Sequence, residues 1–416
     1  MSLQEIPMVF VLLGLVFYIV LGGADFGAAI WQVASGGGDR GRALRELAHE
    51  AMGPVWEANH VWLIFVLTVT WTAYPAALGS LASTLCVALF VAAIGIIIRG
   101  AAYALRSGTA TPREVRRVDT ASAISSVLTP FMLGACIGGL ASGRVPYGNA
   151  KGDLLTSWLN ATSILIGLLA VVFSAYLAAV YLCADAVRRD EPELVPPLRT
   201  RALGSGVVAG VLAIAGLVVL RHDARELYDG LVSGGGLAAL IVSVVAGLTT
   251  LALVWIRRFE PARYTGALAV AAIVAGWALA QQPRFLPGLT IEQAAASDAT
   301  LWSVIIAVLG GGIILFPSLV LLFRLTLGGR LGHGEQETAE EYEPPRQQLL
   351  LAAREGVLGR AAAALFVAGI AFLTILEPRW AHVIGVVSLM ACVPTAVAAM
   401  LPALLGEEHA GRPADT

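Results

Sequence analysis

Four side chains in this sequence can hold or exchange charge in otherwise apolar surroundings: Asp25, Glu57, His60 and Arg99. Glu57 and His60 belong to Gly53-Pro54-Val55-Trp56-Glu57-Ala58-Asn59-His60-Val61-Trp62-Leu63, which opens an apolar run. At helical spacing they lie three apart on one face, with Trp56, Asn59 and His60 on a neighbouring one. Asp25 stands in Leu21-Gly22-Gly23-Ala24-Asp25-Phe26-Gly27, and Arg99 in Ile96-Ile97-Ile98-Arg99-Gly100. Carboxylates and an imidazole can take up and release protons near neutral pH, and an arginine beside them is a permanent counter-charge. The chemistry this set can perform is proton transfer. Asp25 and Glu57 are then the carriers, His60 and Asn59 hydrogen-bonding relays, Arg99 the counter-charge, and Trp56 and Trp62 anchors for their helix. The competing reading is a structural ion cluster that locks helices together.

The elements that must position these groups follow from composition. The chain has 416 residues, 57% hydrophobic and 13% charged, against roughly 25% charged in soluble domains. Lipid is therefore the expected solvent. Apolar stretches long enough to span a bilayer, about 20 residues, fall near 6–31, 54–78, 80–105, 118–142, 156–186, 201–220, 234–256, 264–282, 299–324, 357–376 and 380–404. The expected fold is an all-α polytopic bundle of nine helices with an appended helix pair. Residues 1–328 form its main domain, 329–356 an acidic solvated linker, 357–404 the pair and 405–416 a tail.

Arginine sets the expected orientation. Odd-numbered connections hold Arg40, Arg42 and Arg45, then Arg106, Arg113, Arg116 and Arg117, then Arg188, Arg189, Arg199 and Arg201, and continue in that manner. Even-numbered ones hold only Arg144, Lys151, Arg221, Arg225, Arg284 and Arg379. Basic residues favour the cytoplasmic side, so the N-terminus is expected outside and the C-terminus inside. Asp25, Glu57 and Arg99 then all fall one to two turns from the cytoplasmic surface, on three consecutive helices. A lone charge at a helix centre costs about 2.5–3.5 kcal/mol on insertion scales, and pairing offsets much of that.

Other chemistries are set aside by residue type. Cys86, Cys136, Cys183 and Cys392 lie singly in apolar segments with no CxxC spacing, which fits packing residues. The first residues carry no basic region and no cleavage site follows, so a cleaved signal peptide is not expected. Of six histidines only His60 falls within a span; a haem needs axial His or Met ligands at depth, which one histidine supplies only with an intramembrane methionine such as Met132, so no haem is expected within this chain. No basic face with interleaved aromatics suggests nucleic acid, and no metal or nucleotide signature is present.

At these residues the sequence resembles subunit II of the cytochrome bd-type quinol oxidases. Gly22-Gly23-Ala24-Asp25-Phe26-Gly27 matches the family's Gly-rich Asp motif closing helix one, with Gly22, Gly23 and Gly27 as structural positions. Trp56-Glu57-Ala58-Asn59-His60-Val61-Trp62-Leu63 matches its Trp-Asp/Glu-Gly-Asn motif opening helix two, and Arg99 its arginine ending helix three. Thr129-Pro130, Gly138-Gly139-Leu140, Leu289-Thr290-Ile291 and Ala294-Ala295-Ala296 add weaker likeness, and the match covers about residues 6–328. The chain departs from the pattern at Gly22, where a second aspartate is common, at Val55, where a histidine is common, and at Glu57-Ala58 in place of Asp-Gly.

The resemblance implies a haem-poor subunit in the cell membrane. It would be paired with a subunit I that carries b-type and d-type haems, oxidises quinol and reduces oxygen to water. It implies carboxylates that help deliver cytoplasmic protons, allows for a structural quinone and a small single-helix subunit, and attaches no role to residues 357–404. Two alternatives stay open at this point: a proton-coupled secondary transporter, and a purely structural assembly subunit.

Overall fold

The computed structural model describes residues 2–52, 56–106, 112–327, 357–374 and 378–406. Side chains beside the gaps, those of Trp56, Glu57 and Ala58 included, lie outside the description. The linker at 329–356 and the end of the tail, 407–416, also fall outside it. Among the described residues eight helices are long and apolar enough to cross a bilayer, and three shorter apolar helices lie at Asn59–Ala73, Leu358–Gly369 and Val383–Thr395. The eleven apolar segments of the sequence therefore all appear as helices.

The chain divides into two compact units, Met1–Thr326 and Leu327–Thr416. In the first, α1 (Leu3–Val33) is continuous but for one widened π turn at Tyr18–Gly22. It is followed by α2 (Gly38–Met52), α3 (Trp56–Ala73), α4 (Pro75–Thr84), α5 (Cys86–Arg106), α6 (Pro112–Ala141), α7 (Ala161–Arg188) and α8 (Val195–Asp223). Next come the short α9 (Arg225–Leu231), α10 (Gly234–Trp255), α11 (Phe259–Gln281) and a two-stranded hairpin, β1 (Arg284–Leu286) with β2 (Leu289–Thr290). The unit closes with α12 (Ile291–Ala294) and α13 (Asp298–Leu327).

Two elements differ from the sequence expectation. The first connection, read as a loop, is largely the amphipathic helix α2, whose Leu44, Leu47 and Ala48 are buried in the core. Its arginines kept its mean hydropathy low, and the apolar residues are too few for a span; a 3.6-residue stripe was the available signal. The stretch 80–105 is also two elements. Pro75 starts the short α4 and the α-helical path is broken at Leu85, so α3 and α5 are not a simple hairpin.

α7 is the centre of the bundle. Leu177, Ala178, Ala179 and Val180 are consecutive and buried, so it is apolar on every side, as a helix surrounded by others must be. It packs against α1, α6, α8 and α11. Close approach is made by glycine: a Cβ on Gly27 of α1 would lie 1.9 Å from the Ser174 carbonyl oxygen of α7.

The two ends of this unit are chemically different. One gathers Gln4, Tyr74, the 142–160 connection, α9 and the β hairpin, tied by Tyr74 Oη–Gln4 O (2.6 Å), Arg144–Asp223 (2.5 Å) and Gly148 N–Ser80 Oγ (2.9 Å). The other gathers Ala34, α2, the end of α7 and the start of α11. Arg201 donates to Ala34 O (2.6 Å), Arg188 meets Glu260 (2.7 Å) and Arg189 pairs with Glu50. Among the described residues, the first, fifth and seventh connections thus share one arginine-rich end.

α13 touches the rest of its unit mainly through its start, where Leu301, Val304 and Ile305 are buried. Ile306, Leu309, Ile313 and Ile314 are exposed, and nothing stands within 4 Å of a Cβ placed on Gly310 or Gly311. In the second unit, α14 (Val357–Thr374) and α15 (Arg379–Gly406) pack as an antiparallel pair. Leu389 lies against Gly369, and the Cys392 thiol donates to Ala362 O (3.2 Å).

Candidate functional site

Asp25 and Arg99 meet inside the bundle. Arg99 Nη2 donates to Asp25 Oδ1 at 2.6 Å and to the Asp25 carbonyl at 2.9 Å, and Nε donates to Oδ2 at 3.3 Å. Asp25 is 3% and Arg99 5% exposed. A guanidinium that grips both carboxylate oxygens is the strong, geometrically specific form of a charge pair. Its Nη1 donates to Ser126 Oγ of α6, and its carbon lies 5.0 Å from the centre of the Phe26 ring. Three helices, α1, α5 and α6, are thereby joined at one point. Asp25 is eight residues before the end of α1, about 12 Å at 1.5 Å per residue, and that end is the arginine-rich one.

The widened turn Tyr18–Gly22 immediately precedes Asp25. Such turns leave backbone groups displaced from the regular ladder and often mark functional positions. Asn59, 4% exposed, donates its amide to Leu21 O at 3.3 Å, which fixes the first turn of α3 against this irregularity. His60 is enclosed edge-on by Tyr18 (6.1 Å between ring centres) and Phe26 (6.0 Å). Trp62 stacks on Phe17 of α1 at 4.5 Å and meets Phe65 edge-on, which is how it holds α3 to α1.

Of the residues singled out from sequence, Asp25, Arg99, Asn59 and His60 are brought together. Gly27 sits at the α1–α7 crossing, while a Cβ on Gly22 would stand 3.3 Å from the Tyr18 ring and one on Gly23 3.4 Å from Ser174 Oγ. Glu57 and Trp56 occupy the first turn of α3, next to Asn59; their side chains lie outside the described residues.

Sequence reading passed over Ser126, the third member of the Arg99 site, although a signal existed. Ser122, Ser126 and Thr129 fall at i, i+4 and i+7 in a membrane helix, a polar stripe on one face. Ser125 and Ser126 both donate to Ser122 O (2.8 and 2.6 Å), leaving the Ser126 oxygen to accept from Arg99.

His60 Nε2 is buried, with the Tyr18 and Phe26 rings edge-on to the imidazole. Among the described residues no group of three or more His, Cys, Asp or Glu is placed to hold a metal ion.

With this geometry in view, the comparisons with known proteins agree. A chain of the bd oxidase from Geobacillus thermodenitrificans superposes with a TM-score of 0.66 at 12% identity, over 79% of this chain and 99% of that one, a likeness of fold. A Bacillus subtilis (strain 168) protein provisionally named a cytochrome bd menaquinol oxidase subunit II is 25% identical over 242 residues, 56% of this chain and 68% of its own length. Residues 3–326 match the family model for cytochrome bd terminal oxidase subunit II. With the match extending over the eight described candidate spans and the shorter apolar helix Asn59–Ala73 of the first unit, this multi-pass membrane chain belongs to the cytochrome bd terminal oxidase subunit II family.

Proposed function

We propose that this chain is the haem-poor half of a quinol-oxidising, oxygen-reducing complex, and that it supplies protons from the arginine-rich side to a haem-bearing subunit I. The observation that supports the reading is the buried Asp25–Arg99 pair, with Asn59 in the first turn of α3 hydrogen-bonded to Leu21 O one turn before Asp25. Reduction of oxygen to water consumes protons, and carboxylates gathered near one membrane face are a means to feed them inward. Glu57 and Asp25 are the carriers, and His60 and Asn59 complete the hydrogen-bonded surroundings. Arg99 is the counter-charge; for Asp25 to take a proton, Arg99 must release one of its two carboxylate contacts. The arginine-rich end faces the cytoplasm, which puts the N-terminus outside.

Haems and the quinol site belong to subunit I in this reading, and the chemistry they supply when bound is electron transfer to oxygen. The loosely packed α13, with its exposed Ile306, Leu309 and Ile313 and open Gly310 and Gly311, suits close helix contact with that subunit, because small residues let membrane helices approach.

The test is Glu57→Gln in the assembled complex. Oxygen consumption is expected to fall about a hundredfold, the lower range for a lost acid–base group, with the haem spectrum intact. A second reading, a purely structural subunit, is favoured by the way Arg99 also grips the Asp25 backbone. Unchanged turnover in the Glu57 variant, or loss of haem and partner together, selects that reading. Membership of an oxidase family leaves the transporter alternative without support.

A further inference from the structure

We propose that His49 of α2 is the surface group that collects protons for the Arg99–Asp25 site, and that a polar seam between α5 and α6 conducts them. This rests on the proton-supply reading above and names the intake it requires.

α2 lies on the bundle through buried Leu44, Leu47 and Ala48, and at the edge of that face His49 is half-buried between exposed Glu46 and Glu50. Its imidazole lies over the Tyr103 ring of α5, 5.6 Å between centres and tilted by 37°. Tyr103 is one turn beyond Arg99, on the same face of the same helix, about 6 Å along the axis.

α6 runs antiparallel to α5 and meets it where Arg99 donates to Ser126. Equal rise on both helices brings Ser122 level with Tyr103, and Asp119 lies one turn nearer the arginine-rich end. Asp119, Ser122 and Ser126 share one face of α6. By this spacing, polar side chains fall along the α5–α6 contact from the end of the bundle to Arg99, in helices whose exposed positions include Ile97, Ile98, Ile124 and Val127. At the inner end, the buried hydroxyls of Tyr18 and Thr129 have no hydrogen-bond partner among the described residues. Buried hydroxyls of this kind are satisfied by ordered water, which is what a proton needs to pass between side chains.

The titratable and charged groups around His49 are consistent with collection. Arg45, Glu46 and Glu50 flank it on α2; Arg45 is tied to Ser35 Oγ and Gly36 O (both 2.7 Å), and Glu50 to Arg189. α7 brings Asp185, Arg188 and Arg189, with Asp185 and Arg188 joined to α11 through Arg263 and Glu260. α5 brings Tyr103, and the last turn of α1 brings no charge. His49 is the one group of this set whose ordinary pKa, about 6.5, lies near neutrality. In the step itself, the imidazolium gives its proton to the seam and returns to the neutral ring, ready to take another from solvent.

The test uses the purified complex with its partner subunit, followed by quinol-driven oxygen consumption across pH. A histidine that gathers protons matters most where they are scarce. His49→Gln is therefore expected to match the parent near about pH 6 and to fall about tenfold behind it near about pH 8, with unchanged haem content. Tyr103→Phe, which keeps the ring and loses the hydroxyl, is expected to show the same alkaline loss. His49→Glu, titratable again, is expected to recover part of it. Parallel pH profiles for His49→Gln and the parent overturn the proposal, as does loss of haem or partner in both His49 variants, which makes the contact structural. A parent complex that oxidises no quinol instead overturns the underlying reading, so the two failures are distinct.

Discussion

The Asp25–Arg99 contact shows how much one pair decides. Each charge is almost wholly removed from solvent, and Arg99 grips both oxygens of the Asp25 carboxylate. Breaking a buried ion pair by removing one partner typically costs about 3–5 kcal/mol. Asp25→Asn is therefore expected to lower the thermal stability and the yield of the assembled complex by an amount of that order. Asp25→Asn combined with Arg99→Gln, which removes both charges, is expected to recover part of the loss. Equal stability of the single variant and the parent in thermal unfolding would show that Arg99 finds another counter-charge. Ser126 belongs to the same account, since its hydroxyl proton is committed to Ser122 O and its oxygen is left for Arg99.

At the scale of elements, the site depends on where α1 is held. Its far half is pressed on α7 at Gly27, its end is capped by Arg201 and by Trp31 Nε1 donating to Ala175 O (2.7 Å), and its middle carries the widened turn clamped by Asn59. Gly27→Ala forces backbone apart, because the new Cβ would meet the Ser174 carbonyl at 1.9 Å. The expected destabilisation is about 1–3 kcal/mol or more, together with weaker haem retention as Asp25 is displaced. Gly204→Ala in α8, with nothing within 4 Å, is the matched control. It is expected to be neutral or stabilising by up to about 1 kcal/mol, and both are read from thermal unfolding of the purified complex.

For the whole molecule, the division at Thr326 coincides with the end of the family match, and 99% of the related Geobacillus chain is covered without needing this entire chain. The helix pair of the second unit lies outside the residues matched by the family model. A chain cut after Thr326 and fused there to a reporter active only in the cytoplasm is expected to give signal and to retain quinol oxidase turnover within about a factor of two, since the titratable core and its close packing are untouched. A silent reporter in an active complex reverses the orientation; an inactive complex gives the pair a functional part.

What the sequence by itself determined was the solvent, the number of apolar helices and which connections share an end. Each of these follows from averages over many residues: hydropathy over a span, arginine over a loop. It also singled out Asp25, Glu57, Asn59, His60 and Arg99 as candidates, because polar groups in apolar runs are conspicuous, and the structure brings Asp25, Asn59, His60 and Arg99 together. Only the tertiary structure decided that Arg99 takes Asp25 and Ser126 together. It also decided that Asn59 clamps a carbonyl beside a widened turn, and that residues 38–52 form a helix bringing His49 to Tyr103. Those facts depend on the rotation and crossing of separate helices, set by single glycines such as Gly27 and by one extra residue in the turn before Asp25. A one-residue change in phase rotates a helix face by about 100°, and no average over the sequence registers it.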